Sequence, residues 1–151
     1  GVFLLWAHPG WIHALSLETG QAEATADTVD ALMWGQENLP PEARVVVIYS
    51  EHVEDWAPHL VRRTVVNMVF GTEWEPEQRR EALALNEVLY ACSDVQCAVD
   101  AVSATGNDPG SVYFFLSRPY LETWSQENDG AWRTVEIVFA NRDAAFIQLL
   151  L

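Results

Sequence analysis

The pattern of apolar and polar positions becomes regular from residue 25 of the chain onward. The stretch "TADTVDALMWGQENLP" places its apolar residues at helical spacing, with Thr25 or Asp27 at the N-cap position and Pro40 at the end. Residues 43–50, "ARVVVIYS", form a continuous apolar and β-branched run, which is typical of a strand covered on both faces. The pattern therefore predicts a helix that leads into a buried strand.

The middle of the chain alternates short helical and strand-like patterns. Residues 51–63 predict a short helix with an acidic start and a basic end, and residues 64–70, "TVVNMVF", predict a second strand. Residues 75–106 form the longest helical pattern of the sequence. Ser93-Asp94 inside that stretch is typical of a new N-cap, so we expect a break into two helices there.

The C-terminal part predicts one strand, one helix and a hairpin. Residues 111–117 form a third strand of the buried type, and the following helical pattern ends at Gly130. The last two apolar runs, residues 132–140 and 144–151, predict two strands. The short connector Asn141-Arg142-Asp143 is typical of a tight hairpin turn.

These elements alternate along the chain as helices and strands before they end in two consecutive strands. Such an order is typical of the α/β class with a parallel sheet. We therefore expect a three-layer α/β fold with a mostly parallel sheet of about five strands and an antiparallel hairpin at its C-terminal edge. We expect residues 25–151 to form a single α/β domain and residues 1–24 to be a lead-in segment.

The charge of the chain restricts its partners. The formal net charge is −14, and lysine is absent, so that all eight basic residues are arginines. Phosphate backbones repel such a protein, and we exclude nucleic acid as a partner. The lack of lysine excludes Schiff-base chemistry and a lysine-containing phosphate loop.

No apolar run of the sequence reaches the length of a transmembrane helix. The missing initiator Met suggests a fragment or a processed chain.

Two common enzyme motifs do not occur in the sequence. No G-x-G-x-x-G follows the run "VVVIYS", which argues against a dinucleotide site, and no G-x-S-x-G elbow occurs, which argues against a serine hydrolase of the common α/β type. We therefore expect no cofactor. We also expect no metal, because the four histidines lie far from the cysteines in the sequence, without the spacing of a ligand set.

Cys92 and Cys97 are the two cysteines of the chain. A continuous helix would hold residues five apart on different faces, whereas a break at Ser93-Asp94 lets them meet. The spacing favours a local disulfide, with two free buried thiols and metal or redox chemistry as the alternatives. A disulfide indicates an oxidising compartment outside the cytoplasm.

Acidic and histidine side chains cluster after the first predicted strand, where α/β folds bind ligands. His52 and His59 flank Glu54 and Asp55, and together they offer a general acid and base for a small, free-standing α/β enzyme. An ordinary polar surface helix explains the same residues. We prefer that interpretation, because no nucleophile accompanies the cluster.

A second group of residues is suited to ligand binding. The tandem arginine Arg62-Arg63 is able to clamp a phosphate or a carboxylate. Alternatively, it pairs with Glu73, Glu75 or Glu51 and holds its loop. Trp74 is able to stack on a sugar ring or to plug the start of the long helix. The candidate ligand-binding residues are Trp56, His59, Arg62, Arg63, Glu73 and Trp74.

Three short motifs of the sequence occur in an order that is similar to the order of motifs in a known family. They are Trp34, Glu37, Asn38 and Pro40, then Trp56, Pro58 and Arg62, and then Gly71, Glu73 and Trp74. Together with "VYFFLSRPY" and the terminal hairpin, they resemble the soluble C-terminal domain of polytopic bacterial membrane proteins of the GT-C glycosyltransferase type. The resemblance covers residues 25–150.

The resemblance implies an extracytoplasmic accessory domain at the bacterial cell membrane that is non-catalytic in isolation. Its partners would be the transmembrane region of the parent protein and a sugar acceptor or lipid-linked sugar. The catalytic aspartate of such enzymes lies in an early loop outside this tail, so no catalytic residue is carried over. A third hypothesis is a protein–protein interaction domain whose apolar residues 1–17 dock on a partner.

Overall fold

A computed structural model describes residues 25–49, 53–69, 71–72, 74–127 and 134–150. Five α-helices lie in these ranges: α1 (Ala26–Asn38), α2 (Val53–Val61), α3 (Pro76–Ala91), α4 (Val95–Ala104) and α5 (Arg118–Glu127). The strands are β1 (Arg44–Ile48), β2 (Thr64–Val65), β3 (Val112–Ser117), β4 (Val135–Ala140) and β5 (Ala144–Leu149). The prediction of a lead-in before residue 25 concerns residues outside the described ranges.

The five strands form one sheet in the order β2-β1-β3-β5-β4. β1 is parallel to both β2 and β3, with Arg44 aligned to Thr64 on one side and to Val112 on the other. β5 is antiparallel to β3 and to β4. The predictions of the α/β class, of five strands and of an antiparallel C-terminal hairpin are therefore confirmed.

Alternate residues of β1 enter two different apolar clusters. Val46 and Ile48 pack with buried residues of α3, α4 and α5, whereas Val45 and Val47 pack with those of α1 and α2. Successive side chains of a strand point to opposite faces, so the clusters lie on opposite sides of β1. This double burial explains why β1 is apolar at every position from Val45 to Ile48 rather than alternating.

The predicted helix boundaries agree with the capping contacts. Thr25 is the N-cap of α1, where its hydroxyl accepts a hydrogen bond from the backbone N–H of Thr28. The break inside the long helical stretch lies between α3 and α4, and Asp94 caps α4 by accepting from the backbone N–H of Cys97. Pro76 occupies the start of α3, where its missing N–H costs no helical hydrogen bond.

The second strand differs from its prediction. The pattern of residues 64–70 predicts a strand, but β2 comprises only Thr64 and Val65. After Val66, whose N–H still donates to the carbonyl of Val45, the side chain of Asn67 takes over the pairing with β1. A polar residue inside an apolar run thus ends the regular strand while satisfying the backbone of its neighbour.

Candidate functional site

The loop between β2 and α3 lies at the carboxyl end of the parallel strands. Asn67 and Asn86 are hydrogen-bonded beside Val47 of β1, which places the middle of α3 at the level of that residue. Pro76 precedes Asn86 by ten residues, or about 15 Å of helix. The start of α3 and the preceding Trp74 therefore lie beyond the end of β1, where α/β sheets bind ligands.

Trp74 projects into solvent at this end of the sheet. Its exposed fraction is 90%, the largest among the exposed large hydrophobic residues of the described chain. The alternative in which Trp74 plugs the start of the long helix requires a buried ring, and the structure does not bury it. An indole that is exposed on a hydrogen-bonded loop is free to stack on a ligand.

Carboxylates surround the start of α3 next to Trp74. Glu75, Glu77 and Glu81 line a shallow depression together with Pro76 and Gln78. All five of these residues are exposed. The depression is acidic and open, so it would repel phosphate, whereas carboxylate oxygens accept hydrogen bonds from neutral hydroxyl groups.

A buried pair of asparagines supports the loop from below. Asn67 is completely buried and Asn86 is 6% exposed. Asn67 Nδ2 donates to Asn86 Oδ1 at 2.6 Å, and Asn86 Nδ2 donates to the carbonyl of Asn67 at 3.1 Å. The pair joins the loop after β2 to α3, and neither residue is among those predicted from the sequence to be functional. A lone asparagine within the apolar run "TVVNMVF" was the available signal.

Arg63 performs a structural role at the opposite end of the sheet. Its guanidinium donates to the carbonyls of Gln36, Leu39 and Pro40, at 3.0, 2.5 and 2.6 Å. These carbonyls belong to the end of α1 and the connection to β1, so Arg63 holds that connection in place. The expectation that the tandem arginine fixes a loop agrees with this arrangement, but the partners of Arg63 among the described residues are backbone carbonyls rather than glutamates.

The other candidate ligand-binding residues do not assemble around Trp74 in the described chain. Arg62 is exposed and follows α2 with a left-handed φ of 50°. His59 is exposed in the last turn of α2, and Trp56 packs in part against the cluster of α1 and α2. Arg62 and Arg63 precede β2, whereas Trp74 follows it, so the two groups lie at opposite ends of the sheet. Glu73 lies outside the described residues.

The proposed acid–base cluster is only partly within the described chain. His52 lies outside the described residues, and Glu54 and Asp55 are described only by their helical backbone. His59 is separated from Val53 at the start of α2 by about 1.7 turns of helix. The prediction of an enzymatic cluster therefore stays a prediction.

A chain of hydroxyl groups forms a second polar cluster at the carboxyl end of the sheet. The Tyr49 hydroxyl lies 2.5 Å from Thr28 Oγ1, which lies 3.0 Å from Thr25 Oγ1. Thr25 donates to Asp143 Oδ2 at 2.5 Å. Because an ionised carboxylate only accepts, the donors follow one another from Tyr49 through Thr28 and Thr25 to Asp143. The chain ties the end of β1 and the start of α1 to the β4–β5 turn.

The electrostatics of this hydroxyl chain follow from its contacts. The hydrogen bond from Thr25, with a second from Arg142, lowers the pKa of the Asp143 carboxyl below its usual value. Burial raises the pKa of the Tyr49 hydroxyl. Both shifts favour a neutral Tyr49 hydroxyl and an ionised Asp143 carboxylate, which this direction of the hydrogen bonds requires. Thr25 and the turn are each predictable from the sequence, but their contact is not, since it joins residues 118 positions apart.

The two cysteines form the predicted disulfide. Cys92 and Cys97 are joined by an S–S bond of 2.06 Å, with their Cα atoms 5.5 Å apart. The carbonyl of Cys92 accepts a hydrogen bond from the indole N–H of the buried Trp124. The bridge thus fixes the corner between α3 and α4 against α5.

The described residues contain no group of three or more His, Cys, Asp or Glu side chains arranged to hold a metal ion. None of the helices in the same part of the chain combines the length and apolar composition that a membrane crossing requires. Comparison with family models, with curated proteins and with solved structures finds no match to this chain.

Proposed function

We propose that this chain is an extracytoplasmic accessory domain of a bacterial membrane protein of the GT-C glycosyltransferase type. In this proposal it is non-catalytic by itself, packs on the transmembrane region of its parent, and contacts a sugar through Trp74. The exposed indole of Trp74 at the carboxyl end of the sheet is the observation that carries the proposal. We also propose that the sheet is the middle of three layers, which the two apolar clusters beside β1 support.

The surroundings of Trp74 favour a neutral ligand over a charged one. Glu75, Glu77 and Glu81 lie at the start of the helix that follows the indole. In a chain with a net charge of −14, these carboxylates oppose binding of a free phosphate. A sugar ring offers an apolar face for the indole and hydroxyl donors for the carboxylates, so the sugar rather than the phosphate of a lipid-linked sugar would contact this surface.

The disulfide supports the proposed location. Disulfides persist in oxidising compartments and are rare where glutathione and thioredoxin keep thiols reduced. The Cys92–Cys97 bridge closes a short loop at a helix corner and leaves no free cysteine in the chain. A domain on the outer side of the cell membrane would retain this bridge.

Direct titration with neutral sugars tests the contact. We would follow the indole N–H signals of the protein by NMR while adding maltose, cellobiose or chitobiose. The Trp74 signal, assigned with a Trp74→Phe variant, is expected to shift on binding, and the Trp74→Ala variant is expected to lose at least about tenfold in affinity because stacking is removed.

Leu83→Ala provides the matched control for this titration. Leu83 is another exposed apolar residue, 49% accessible on α3, and its removal should leave sugar binding unchanged. Equal sugar affinities of the wild type and Trp74→Ala would contradict the proposed contact. The absence of a shift of the Trp74 signal with all three sugars would contradict it as well.

A further inference from the structure

β4 is an edge strand of the sheet. It pairs with β5 on one side, and no strand of the described chain lies on its other side. The alternate N–H and C=O groups of an antiparallel edge strand point outward and are able to pair with an added strand. The edge is interrupted only by a bulge between Ile137 and Phe139, so that Val135 to Ile137 and Phe139 to Ala140 keep their regular register.

One face of this edge is bordered by carboxylates. Phe139 stacks on Trp34 of α1, with ring centroids 4.7 Å apart, which places the Trp34 side of α1 along β4. Asp30 and Glu37 are four residues before and three residues after Trp34, so they lie on the same side of the helix and are exposed. They form an acidic row next to the strand.

Glu136 adds to this acidic row from the strand itself. Glu136 is aligned with Gln148, and Phe139 is aligned with Phe146, which belongs to the apolar cluster of α1 and α2. Residues 146 and 148 of β5 share one face of the sheet, so Glu136 points to the α1 side. Two described cations on this side of the sheet already have partners. Arg142 in the hairpin turn is paired with Asp27 and Asp143, and Arg63 donates to backbone carbonyls at the end of α1.

The other face of the edge is apolar. Ile137 is aligned with Ile147, which belongs to the cluster of α3, α4 and α5, and is itself 47% exposed. Val135 packs in part against the same cluster. The edge therefore offers carboxylates on one face and the exposed side chain of Ile137 on the other. Acidic and apolar side chains alternate between the two faces, as they do along any strand.

We propose that the outer edge of β4 binds an extended segment of a partner protein in which basic and apolar residues alternate. The basic side chains of the segment would face Asp30, Glu37 and Glu136, and its apolar side chains would cover Ile137. Main-chain pairing supplies the binding energy in such strand addition, while the alternate side chains supply specificity. A second copy of this chain is disfavoured as the occupant, because two bodies of charge −14 repel each other. This surface is separate from Trp74 and does not depend on sugar binding.

A pair of synthetic peptides tests the proposal on the full chain. The probe is an acetylated peptide of alternating arginine and valine, and its matched control carries glutamate in place of arginine. The arginine peptide is expected to slow hydrogen exchange at the outward-facing amides of Val135–Ala140 and to bind at least about tenfold more tightly than the glutamate peptide. Addition of salt should reduce this preference.

Charge reversal distinguishes this edge from a general attraction to an acidic protein. The double variant Glu37→Arg, Glu136→Arg changes two exposed side chains and should remove the preference for the arginine peptide. The control Glu77→Arg, Glu81→Arg alters the net charge equally at the start of α3 and should keep it. An equal effect of the two double variants would overturn the proposal.

Three other outcomes would also overturn it. The first is protection by the arginine peptide at residues outside β4. The second is protection of the outward β4 amides in the peptide-free protein together with a dimer in sedimentation, since the occupant would then be a second copy. The third is protection in the peptide-free monomer that disappears in a chain beginning at Thr25, since the occupant would then belong to residues 1–24.

Discussion

The side chain of Asn67 pairs with the backbone of Val47 as a neighbouring strand would. Asn67 Oδ1 accepts from the N–H of Val47 at 2.9 Å, and Asn67 Nδ2 donates to the Val47 carbonyl at 2.8 Å. β2 has already ended at Val65, so Val47 would otherwise have no partner on this side. The buried side-chain amide thus replaces the two backbone hydrogen bonds that a neighbouring strand would make to Val47, at the point where the chain turns toward Trp74.

Replacing Asn67 by alanine should destabilise the fold by about 2–4 kcal/mol. The substitution leaves the N–H and C=O of Val47 and the Oδ1 atom of Asn86 without these partners in a buried site. Urea unfolding followed by circular dichroism measures this loss. Asn38→Ala, which removes one exposed hydrogen bond to the carbonyl of Trp34, is the control and should cost less than about 1 kcal/mol. Equal losses in the two variants would contradict this role of Asn67.

Arg63 and Arg62 should respond to substitution in opposite directions. Arg63→Ala removes charged hydrogen bonds to carbonyls at the end of α1 and should cost about 2 kcal/mol. Arg63→Lys should recover less than half of this loss, because an ammonium group does not reproduce the fixed fork of a guanidinium. Arg62→Gly should instead stabilise by about 0.5 kcal/mol, since glycine adopts the φ of 50° without strain. Thermal and urea unfolding of the three variants measures these changes in stability. A gain of stability in Arg63→Ala would refute the proposed role of Arg63.

The stability of the domain should depend on Asp143 at acidic pH. The pKa of its carboxyl is lowered in the folded state from an ordinary value of 3.8, so the folded protein holds the proton less tightly than the unfolded chain. The resulting stabilisation is present above about pH 4 and is lost as the pH falls through the folded pKa. Asp143→Asn should therefore show a shallower acid-induced decline in urea midpoint than the wild type.

Substitutions at Thr25 provide the control for this pH dependence. Thr25→Ser retains the hydroxyl that donates to Asp143 and should keep the wild-type profile, whereas Thr25→Val should give a profile closer to that of Asp143→Asn. Identical acid profiles for the serine and valine variants would show that the hydrogen bond does not cause the shift.

Removal of the disulfide should weaken the domain without abolishing its fold. The bridge closes a loop between residues only five positions apart, for which the chain-entropy relation gives about 2 kcal/mol. The double variant Cys92→Ala, Cys97→Ala should lower the unfolding free energy by that amount. Reagents for free thiols should detect none in the unreduced, denatured wild type and two after reduction. Two free thiols in the unreduced protein isolated from an oxidising compartment would contradict the proposed pairing.

The local elements of this protein follow from short-range patterns in its sequence. The N-cap Thr25, the break before Asp94 and the connector before β5 depend on residues within a few positions of one another, so they are predictable without the fold. The disulfide belongs to the same class, because the predicted break was enough to bring Cys92 and Cys97 together. The continuous apolar run of β1 likewise indicated a strand that is buried on both sides.

Contacts between distant parts of the chain required the tertiary structure. The link from Thr25 to Asp143 and the pairing of Asn67 with Val47 depend on which strands become neighbours, and hydrophobic periodicity does not encode strand order. The same is true of the separation between Arg63 and Trp74. They are eleven residues apart in the sequence, but the chain between them runs along β2 and its loop from the amino end to the carboxyl end of the parallel strands. The residue types thus determined the elements and the chemistry available, whereas the packing of the sheet determined which side chains meet.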